Sequence, residues 1–174
     1  MRLANFAQLV NAIAPIFTNA RGLFLQTIYH PLRLYAEHTQ ATALDVHVDC
    51  PTYDLPPGRE DEGDGRVHHV ADLGPFAMLD ASATCDVAAG TLTLFVVNRD
   101  RDRSHAATID LAGAEISGAV QVSEVNGPDV AAMKSCERPD VVGVRERRLE
   151  AAGNKLEYDF PAHALSVLRM RLRS

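Results

Sequence analysis

The stretch Thr91–Asn98, TLTLFVVN, is the part of the sequence that decides the fold class. Leu94 to Val97 form an unbroken apolar run, so an extended chain would carry apolar side chains on both of its faces here. A strand that is buried on both faces has a continuous apolar run of this kind, which favours a position inside a sheet. The sequence therefore predicts a central β-strand over residues 91–98.

Short candidate strands surround this stretch from Phe76 onward, separated by turn signals at intervals of roughly 8–12 residues. This spacing is typical of an antiparallel β-sandwich or barrel. In the last candidate strand, Leu168, Met170 and Leu172 lie on one face. The candidates with alternating apolar residues, including one upstream of Phe76, are Ala43–Val48, Ala107–Leu111, Ala119–Val125, Leu156–Phe160 and Leu165–Leu172.

The beginning of the chain follows a different pattern. Apolar residues recur at helical spacing over residues 2–13, which predicts an amphipathic helix. Two short apolar runs, Ile16–Phe17 and Leu23–Leu25, are candidate buried strands. A second helix is predicted over Thr27–His38, with Thr27 as its N-cap. Its predicted buried stripe consists of Ile28, Leu32, Tyr35 and Ala36.

Composition and charge argue against several classes of partner. The formal net charge of −6 disfavours nucleic acid, because phosphate binding requires a basic surface. No apolar run reaches the ~18 residues that a membrane-spanning helix needs, so we expect a soluble protein without a membrane partner. The three cysteines, an odd number without metal-type spacing, fit reduced thiols in the cytoplasm. Residues 55–68 are rich in proline, glycine and acidic side chains, which predicts an exposed, mobile loop.

Common catalytic and cofactor motifs are missing from the sequence. It has no glycine-rich phosphate loop and no Gly-x-Ser-x-Gly motif, and we expect no cofactor. His68, His69 and Asp72 cluster, but adjacent residues of an extended chain point to opposite faces. A polar loop is the favoured interpretation, so no metal site is predicted. The 23 Asp and Glu residues do not mark a catalytic pair by their placement.

Blocks spread along the whole chain carry a family resemblance. They are LANFAQLVNAIAPIFT, LQTIYHPLRLYAEHT, VDCPTYD, LDASATCD, GTLTLFVVNRD, ERPDVV and FPAHALSVLRMRL. In this order they resemble the last third of the α-L-arabinofuranosidases of glycoside hydrolase family 51. The resemblance implies that residues 1–42 are the end of a catalytic (β/α)8 barrel and that residues 43–174 are a C-terminal sandwich. The implied fold class is mainly β: an antiparallel, jelly-roll-like β-sandwich preceded by an αβα remnant of the barrel.

The resemblance also implies a reaction, the retaining hydrolysis of terminal α-L-arabinofuranosyl groups from arabinan, arabinoxylan or their oligosaccharides. In the family, the acid/base glutamate follows an asparagine in barrel strand four, and the nucleophilic glutamate ends strand seven. None of the six asparagines of this chain precedes a glutamate, and strand seven would lie upstream of Met1. We therefore expect no catalytic residue in the chain and no hydrolysis by the chain alone.

One substrate-binding residue is implied by the resemblance. Gln26 matches the glutamine of the family's Gln-Thr-Ile-Tyr-x-Pro motif, which hydrogen-bonds the arabinofuranosyl unit beside barrel strand eight. From the residues alone, the alternative is a polar helix-entry residue whose amide bonds nearby backbone. Tyr29 and His30 are expected to pack rather than to contact sugar. Lys134 stands where the family has an asparagine, a departure from the shared pattern.

Two further interpretations stay open at the level of sequence. The chain could be a non-catalytic module that stabilises, forms a homo-oligomer or binds carbohydrate weakly, although aromatic residues are only 6% of the sequence. It could instead derive from a truncated reading frame, because Met1 falls inside a predicted helix. In either case we expect an exposed apolar patch and an open sheet edge.

Overall fold

Twelve β-strands and one α-helix are present in residues 8–55 and 73–173, the parts of the chain that the computed structural model describes. In chain order they are β1 (Ile16–Asn19), β2 (Gly22–Leu25), α1 (Tyr29–His38), β3 (Thr42–Leu44), β4 (Thr52–Tyr53), β5 (Phe76–Ala77), β6 (Leu79–Asp86), β7 (Thr91–Asn98), β8 (His105–Asp110), β9 (Glu115–Asn126), β10 (Gly143–Gly153), β11 (Lys155–Phe160) and β12 (Leu165–Arg173).

Strand β7 lies inside a six-stranded antiparallel sheet, as the sequence predicts. The strand order is β10-β9-β12-β7-β6-β3, and β7 pairs with β12 on one side and with β6 on the other. Leu94 and Val96 are buried on one face of β7, and Phe95 is buried on the opposite face. The apolar run therefore contributes to two separate clusters, one on each side of the sheet.

The cluster on the inner face of this sheet makes the domain a β-sandwich. Strands β8 and β11 pair in a second antiparallel sheet, whose Tyr158 and Phe160 pack against the six-stranded sheet. Leu168, Met170 and Leu172 of β12 contact the same cluster, so they share a core face as predicted. The predicted fold class, a mainly β protein with an antiparallel sandwich, is confirmed.

Helix α1 covers the outer face of the six-stranded sheet. It also follows two strands, β1 and β2, at the positions that the short apolar runs predict. The buried stripe, however, is wrong: the buried side chains of α1 are His30 and Leu34. Tyr35 is half-buried as predicted, whereas the other three members of the predicted stripe are exposed. Helical periodicity could not anticipate this face, because it is set by partners far away in sequence. The exposed members are Ile28, Leu32 and Ala36.

Strand β10 is the longest element that the sequence pattern did not reveal. Its charged run Arg145–Arg148 reads as a solvated face, and these four side chains are indeed exposed. The strand nevertheless pairs with β9 along its whole length, from Gly143 opposite Asn126 to Gly153 opposite Ile116. It forms one edge of the sheet, where exposed charges discourage pairing with other chains. Backbone pairing rather than side-chain burial therefore fixes its place.

The strand predicted over Ala43–Val48 is shorter than expected. Strand β3 ends at Leu44, and residues 45–50 form no ladder with any strand of the described residues. Val46 and Val48 still pack against the sandwich core, so the apolar alternation survives where the backbone ladder does not. Alternation reports which side chains face a core and cannot by itself report hydrogen-bonded pairing.

The helix predicted over residues 2–13 is absent from its described part, residues 8–13. Asn11 and Ile13 have φ angles of 63° and 51°, which interrupt any helix. The Asn11 side chain instead accepts a hydrogen bond from the Thr18 N–H at 2.9 Å, closing a turn. Residues 2–7 lie outside the described residues.

Two other expectations also fall on residues outside the described ranges. They are the mobile loop over about 55–68, apart from Leu55 itself, and the cluster of His68, His69 and Asp72. The division into a barrel remnant, residues 1–42, and a sandwich domain, residues 43–174, stays a prediction.

Candidate functional site

Gln26 lies in the short connection between β2 and α1, where the sequence places it. Its backbone is held on both sides. The Gln26 N–H donates to the Pro15 carbonyl oxygen at 2.8 Å, and the Tyr29 N–H donates to the Gln26 carbonyl oxygen at 3.0 Å. These bonds fix the residue without using its side chain.

The hairpin of β1 and β2 holds the chain that leads into this connection. Ile16 lies opposite Leu25, and the rings of Phe17 and Phe24 stack with centroids 5.0 Å apart. Phe24 is buried. Gly22 has a φ angle of 143°, a conformation that other residues rarely adopt, so the tight turn between the strands requires glycine. The end of β2, and with it the position of the next residue, is therefore well defined.

The Gln26 side chain is half-buried, and its amide forms no hydrogen bond within residues 8–55 and 73–173. The helix-entry alternative requires a bond from this amide to nearby backbone, and the described residues do not provide one. An unengaged amide can donate to one hydroxyl and accept from another, as adjacent sugar hydroxyls require. The arrangement is therefore chemically suited to a polyhydroxyl ligand.

A buried pair joins α1 to the loop before β10. His30 and Lys134 are each 8% exposed, and Lys134 Nζ lies 2.9 Å from His30 Nε2. Lys134 also donates to the carbonyl oxygen of Val142 at 2.7 Å. Burial, together with the charges of Lys134 and Arg33, lowers the pKa of His30, and burial lowers the pKa of Lys134. His30 is thus a neutral, packed side chain.

A second polar cluster connects β9, β10 and β11. The Tyr158 hydroxyl donates to Glu124 Oε1 at 2.6 Å, and Arg147 donates to the Tyr158 oxygen at 2.7 Å and to Glu124 Oε1 at 3.2 Å. Burial and the hydrogen bond with Glu124 raise the pKa of Tyr158 to about 12. These groups bond one another, so the cluster fastens the edge strand β10 to both layers of the sandwich.

An Asp-His pair lies at the loop between β7 and β8. His105 Nε2 is 2.9 Å from Asp100 Oδ2, and the N–H groups of Asp102 and Arg103 donate to Asp100 Oδ1. The Asp102 N–H and the His105 ring lower the pKa of Asp100. No serine or cysteine of the described residues hydrogen-bonds His105, so the pair closes the loop rather than activating a nucleophile.

Among the residues described, no group of three or more His, Cys, Asp or Glu side chains is placed to hold a metal ion. A helix both long enough and apolar enough to cross a membrane is not found in those residues either. Cys50, Cys85 and Cys136 are free thiols.

The sequence analysis identified Gln26 but neither the buried pair of His30 and Lys134 nor the cluster of Glu124, Arg147 and Tyr158. His30 and Lys134 are 104 residues apart, so no local pattern could pair them. Only Lys134 carried a signal, because it departs from the asparagine of the similar family. Glu124, Arg147 and Tyr158 come from three strands, one of which is the unpredicted β10.

Comparisons of the sequence with a family model and with known proteins lead to one group of proteins. The family model for the alpha-L-arabinofuranosidase C-terminal domain matches residues 1–164. The chain is similar to the probable alpha-L-arabinofuranosidase C of Aspergillus clavatus, with 31% identity over 169 residues, or 97% of this chain. It is similar to the intracellular exo-alpha-(1->5)-L-arabinofuranosidase of Streptomyces lividans, with 31% identity over 166 residues, or 90% of this chain.

The structural comparison leads to the same group of proteins. The crystal structure of an alpha-L-arabinofuranosidase from Thermotoga maritima, an arabinose complex, matches 97% of this chain with a TM-score of 0.81 and 27% identity. The chain spans 30% of the Aspergillus relative, 23% of the Streptomyces relative and 34% of the Thermotoga chain. The similarity is therefore to one part of longer proteins.

Proposed function

We propose that this chain, which belongs to the family of alpha-L-arabinofuranosidase C-terminal domains, is the C-terminal portion of an enzyme that hydrolyses arabinofuranosides. The proposed reaction is the retaining removal of terminal α-L-arabinofuranosyl groups from arabinan, arabinoxylan or their oligosaccharides. An arabinose-containing oligosaccharide is accordingly the proposed partner.

The relatives support this substrate class. The Streptomyces lividans relative is an exo-acting α-(1→5)-L-arabinofuranosidase by name, and the Thermotoga maritima structure is an arabinose complex. Both resemble the chain over nine tenths or more of its length. Both proteins are longer than this chain, which spans 23% of the first and 34% of the second. The activity of the whole enzyme is therefore a proposal for this chain.

The observation that carries the proposal is the state of Gln26. Its backbone is fixed by Pro15 and Tyr29, while the side-chain amide of this half-buried residue has no hydrogen-bond partner in the described parts of the chain. A residue whose backbone is fixed and whose polar side-chain group is unused is suited to binding rather than to stabilising the fold. We assign Gln26 the role of hydrogen-bonding hydroxyls of the arabinofuranosyl unit.

The 174 residues themselves are proposed not to catalyse. Retaining glycosidases use two carboxyl groups about 5–5.5 Å apart, one of which is a nucleophile. The family's Asn-Glu pair has no counterpart in this sequence. The described carboxyl groups considered above, Asp100 and Glu124, are engaged in structural hydrogen bonds. Catalytic groups are therefore not assigned to any residue of the chain.

Incubation of the purified chain with an aryl α-L-arabinofuranoside tests this assignment. We expect release of the aryl group at the background rate. The control variant is Glu124→Gln, which removes a carboxylate whose side chain is only 12% exposed. The assignment is overturned if the wild-type chain releases the aryl group and a variant that lacks one of its own carboxylates does not. A contaminating hydrolase would act equally in both preparations.

A non-catalytic module is the second candidate, favoured by exposed apolar side chains near the start of the described residues. Leu9, Ile13 and Leu23 are 66%, 86% and 61% exposed. Exposed apolar groups of this size mark contact surfaces. Sedimentation that shows concentration-dependent association, reduced by Leu23→Ser, would favour an oligomerising role. Calorimetric titration with arabino-oligosaccharides separates this role from sugar binding.

We further propose that the protein works in the cytoplasm without metal or cofactor. The Streptomyces lividans relative is described as intracellular, and the three cysteines of this chain are unpaired. Reduced thiols are usual in that compartment. The net charge of −6 supports the further proposal that nucleic acid is not a partner.

A further inference from the structure

A cavity of about 390 Å³ lies beside the buried pair of His30 and Lys134, between α1 and the chain that leads into β10. Its charged lining is mainly cationic: Arg33, Lys134 and Arg145 line it, together with the carboxylate of Asp140. In a chain with a net charge of −6, three cations around one cavity call for a physical reason.

Hydrogen-bond donors around this cavity lack acceptors. Lys134 can only donate, so Nε2 of the neutral His30 ring accepts the 2.9 Å bond and Nδ1 carries the ring hydrogen. That Nδ1 is buried and has no partner in the described residues. The same is true of the buried Nε of Arg33, which lies 3.7 Å from the Glu37 carboxylate, too far for a hydrogen bond.

Lys134 adds a buried positive charge that has no salt bridge to a described carboxylate. Its Nζ contacts a neutral imidazole nitrogen and the Val142 carbonyl oxygen, and it forms no ion pair within residues 8–55 and 73–173. An ammonium group that is removed from water is costly unless a negative charge accompanies it. Asp140 lines the same cavity but forms no salt bridge with Lys134, and its carboxylate only partly opposes the larger effect of burial, which lowers the pKa of Lys134.

We propose that this cavity binds an oxyanion, carried by an acidic monosaccharide or by free inorganic phosphate, with Lys134 as the central cation and Arg33 and Arg145 beside it. An oxyanion accepts several hydrogen bonds at once. Lys134 keeps one N–H after its bonds to His30 and Val142, and Arg33 and Arg145 line the same cavity. Cavities of roughly 300–1,000 Å³ hold small organic ligands, so a sugar acid is within range. The first turn of α1 contains no acidic residue, and the positive end of its dipole adds to the attraction.

Calorimetric titrations of the full chain test the site with three ligands: sodium phosphate, sodium D-glucuronate and neutral D-glucose. We expect phosphate or glucuronate to bind with a millimolar or lower Kd and glucose not to bind. Tighter binding of glucuronate identifies an acidic sugar as the source of the oxyanion, and tighter binding of phosphate identifies the free ion. Absence of binding by both anions overturns the proposal and leaves water as the occupant.

Variants localise the binding. Lys134→Met should weaken the anion's affinity by about tenfold or more, because it removes a charge-assisted donor. Arg33→Gln and Arg145→Gln change side chains that are more exposed than Lys134, so they test the site even if the buried substitution unfolds the protein. Arg171→Gln, which removes an exposed arginine outside this cavity, is the control and should change Kd by less than about twofold. Equal affinity in the wild type and in all three cavity variants overturns the proposal.

A spectroscopic measurement gives an independent readout. Long-range ¹⁵N–¹H correlation of the His30 ring should show the hydrogen on Nδ1. The resonance of Nε2, which contacts Lys134, should shift on titration with the anion. A hydrogen found on Nε2 would contradict the donor arrangement on which the site rests.

Discussion

Tyr35 of α1 stacks on Phe95 of β7, with ring centroids 4.3 Å apart and ring planes at 10° to each other. Phe95 is 1% exposed and belongs to the same buried cluster as Leu34. The contact attaches the helix that follows Gln26 to a central strand of the sandwich. The position of Gln26 therefore depends on packing between parts of the chain that are 60 or more residues apart.

Phe95→Ala should lower the free energy of unfolding by about 3–5 kcal/mol, because it leaves a cavity between α1 and the sheet. Tyr35→Ala should show a coupling of about 0.5–1.5 kcal/mol with it in a double-mutant cycle. Urea unfolding followed by circular dichroism measures both. Leu32→Ala, an exposed position on the same helix, is the control and should stay within about 0.5 kcal/mol. A zero coupling would mean that the stacked rings do not fasten the helix.

Substitution of Asn98 should also lower the free energy of unfolding strongly. Its buried amide nitrogen donates to the carbonyl oxygens of Arg103, Phe160 and Pro161. Asn98→Asp replaces this donor by an acceptor, so we expect a loss of about 2–4 kcal/mol in the free energy of unfolding. Thermal unfolding with Gln121→Ala as the exposed control provides the measurement. Equal melting temperatures for Asn98→Asp and the wild type would contradict the assigned bonds.

The lowered pKa of His30 makes stability depend on pH. The ring has a pKa of 6.5 when unperturbed and a lower one in the folded chain. As pH falls through about 6.5, the unfolded chain binds a proton that the folded chain does not, so stability decreases with falling pH. The decrease should have a slope of up to about 1.4 kcal/mol per pH unit for this residue and should vanish above about pH 7.5.

Urea unfolding between pH 5 and 8 checks this dependence. His30→Gln, which retains an acceptor for Lys134, should flatten the profile. His38 contributes with the same sign, because burial and Arg169 lower its pKa, so His38→Gln is the matched comparison. An unchanged slope in His30→Gln would show that the buried pair is not the source of the dependence.

Periodicity in the sequence predicted what depends on local pattern. The apolar run of β7 and the alternation in β12 each matched a strand and its buried face. Two features escaped because their causes are non-local. Strand β10 is held by its ladder with β9 despite four consecutive exposed charged residues. The buried face of α1 is set by Lys134 and Phe95, which no helical period can reveal.

Within the candidate site, the sequence could place Gln26 between strand and helix but could not show whether its amide was engaged. Both interpretations of Gln26 require the same residue at the same place in the sequence. Only the positions of backbone carbonyl and N–H groups around its amide in the folded chain distinguish them. The cavity beside Lys134 was equally inaccessible, because its lining comes from α1, β9 and the chain around β10.

Gln26→Ala should change the free energy of unfolding by less than about 0.5 kcal/mol, because the amide stabilises nothing in the described structure. Asn11→Ala is the matched control, since that amide oxygen does accept a bond from the Thr18 N–H. It should cost about 1 kcal/mol. Chemical denaturation of both variants decides between the two interpretations of Gln26. A loss in Gln26→Ala as large as that in Asn11→Ala would favour the helix-entry interpretation.

The most direct test is a chimera in which this chain replaces the matching 34% of the Thermotoga maritima alpha-L-arabinofuranosidase. We predict that the folded chimera hydrolyses an aryl α-L-arabinofuranoside. Gln26→Ala in the chimera should lower kcat/KM by about tenfold or more, whereas Thr27→Ala should leave it within about twofold. A folded but inactive chimera, or one whose activity is unaffected by Gln26→Ala, would contradict the assignment of this chain as a sugar-contacting part of the enzyme.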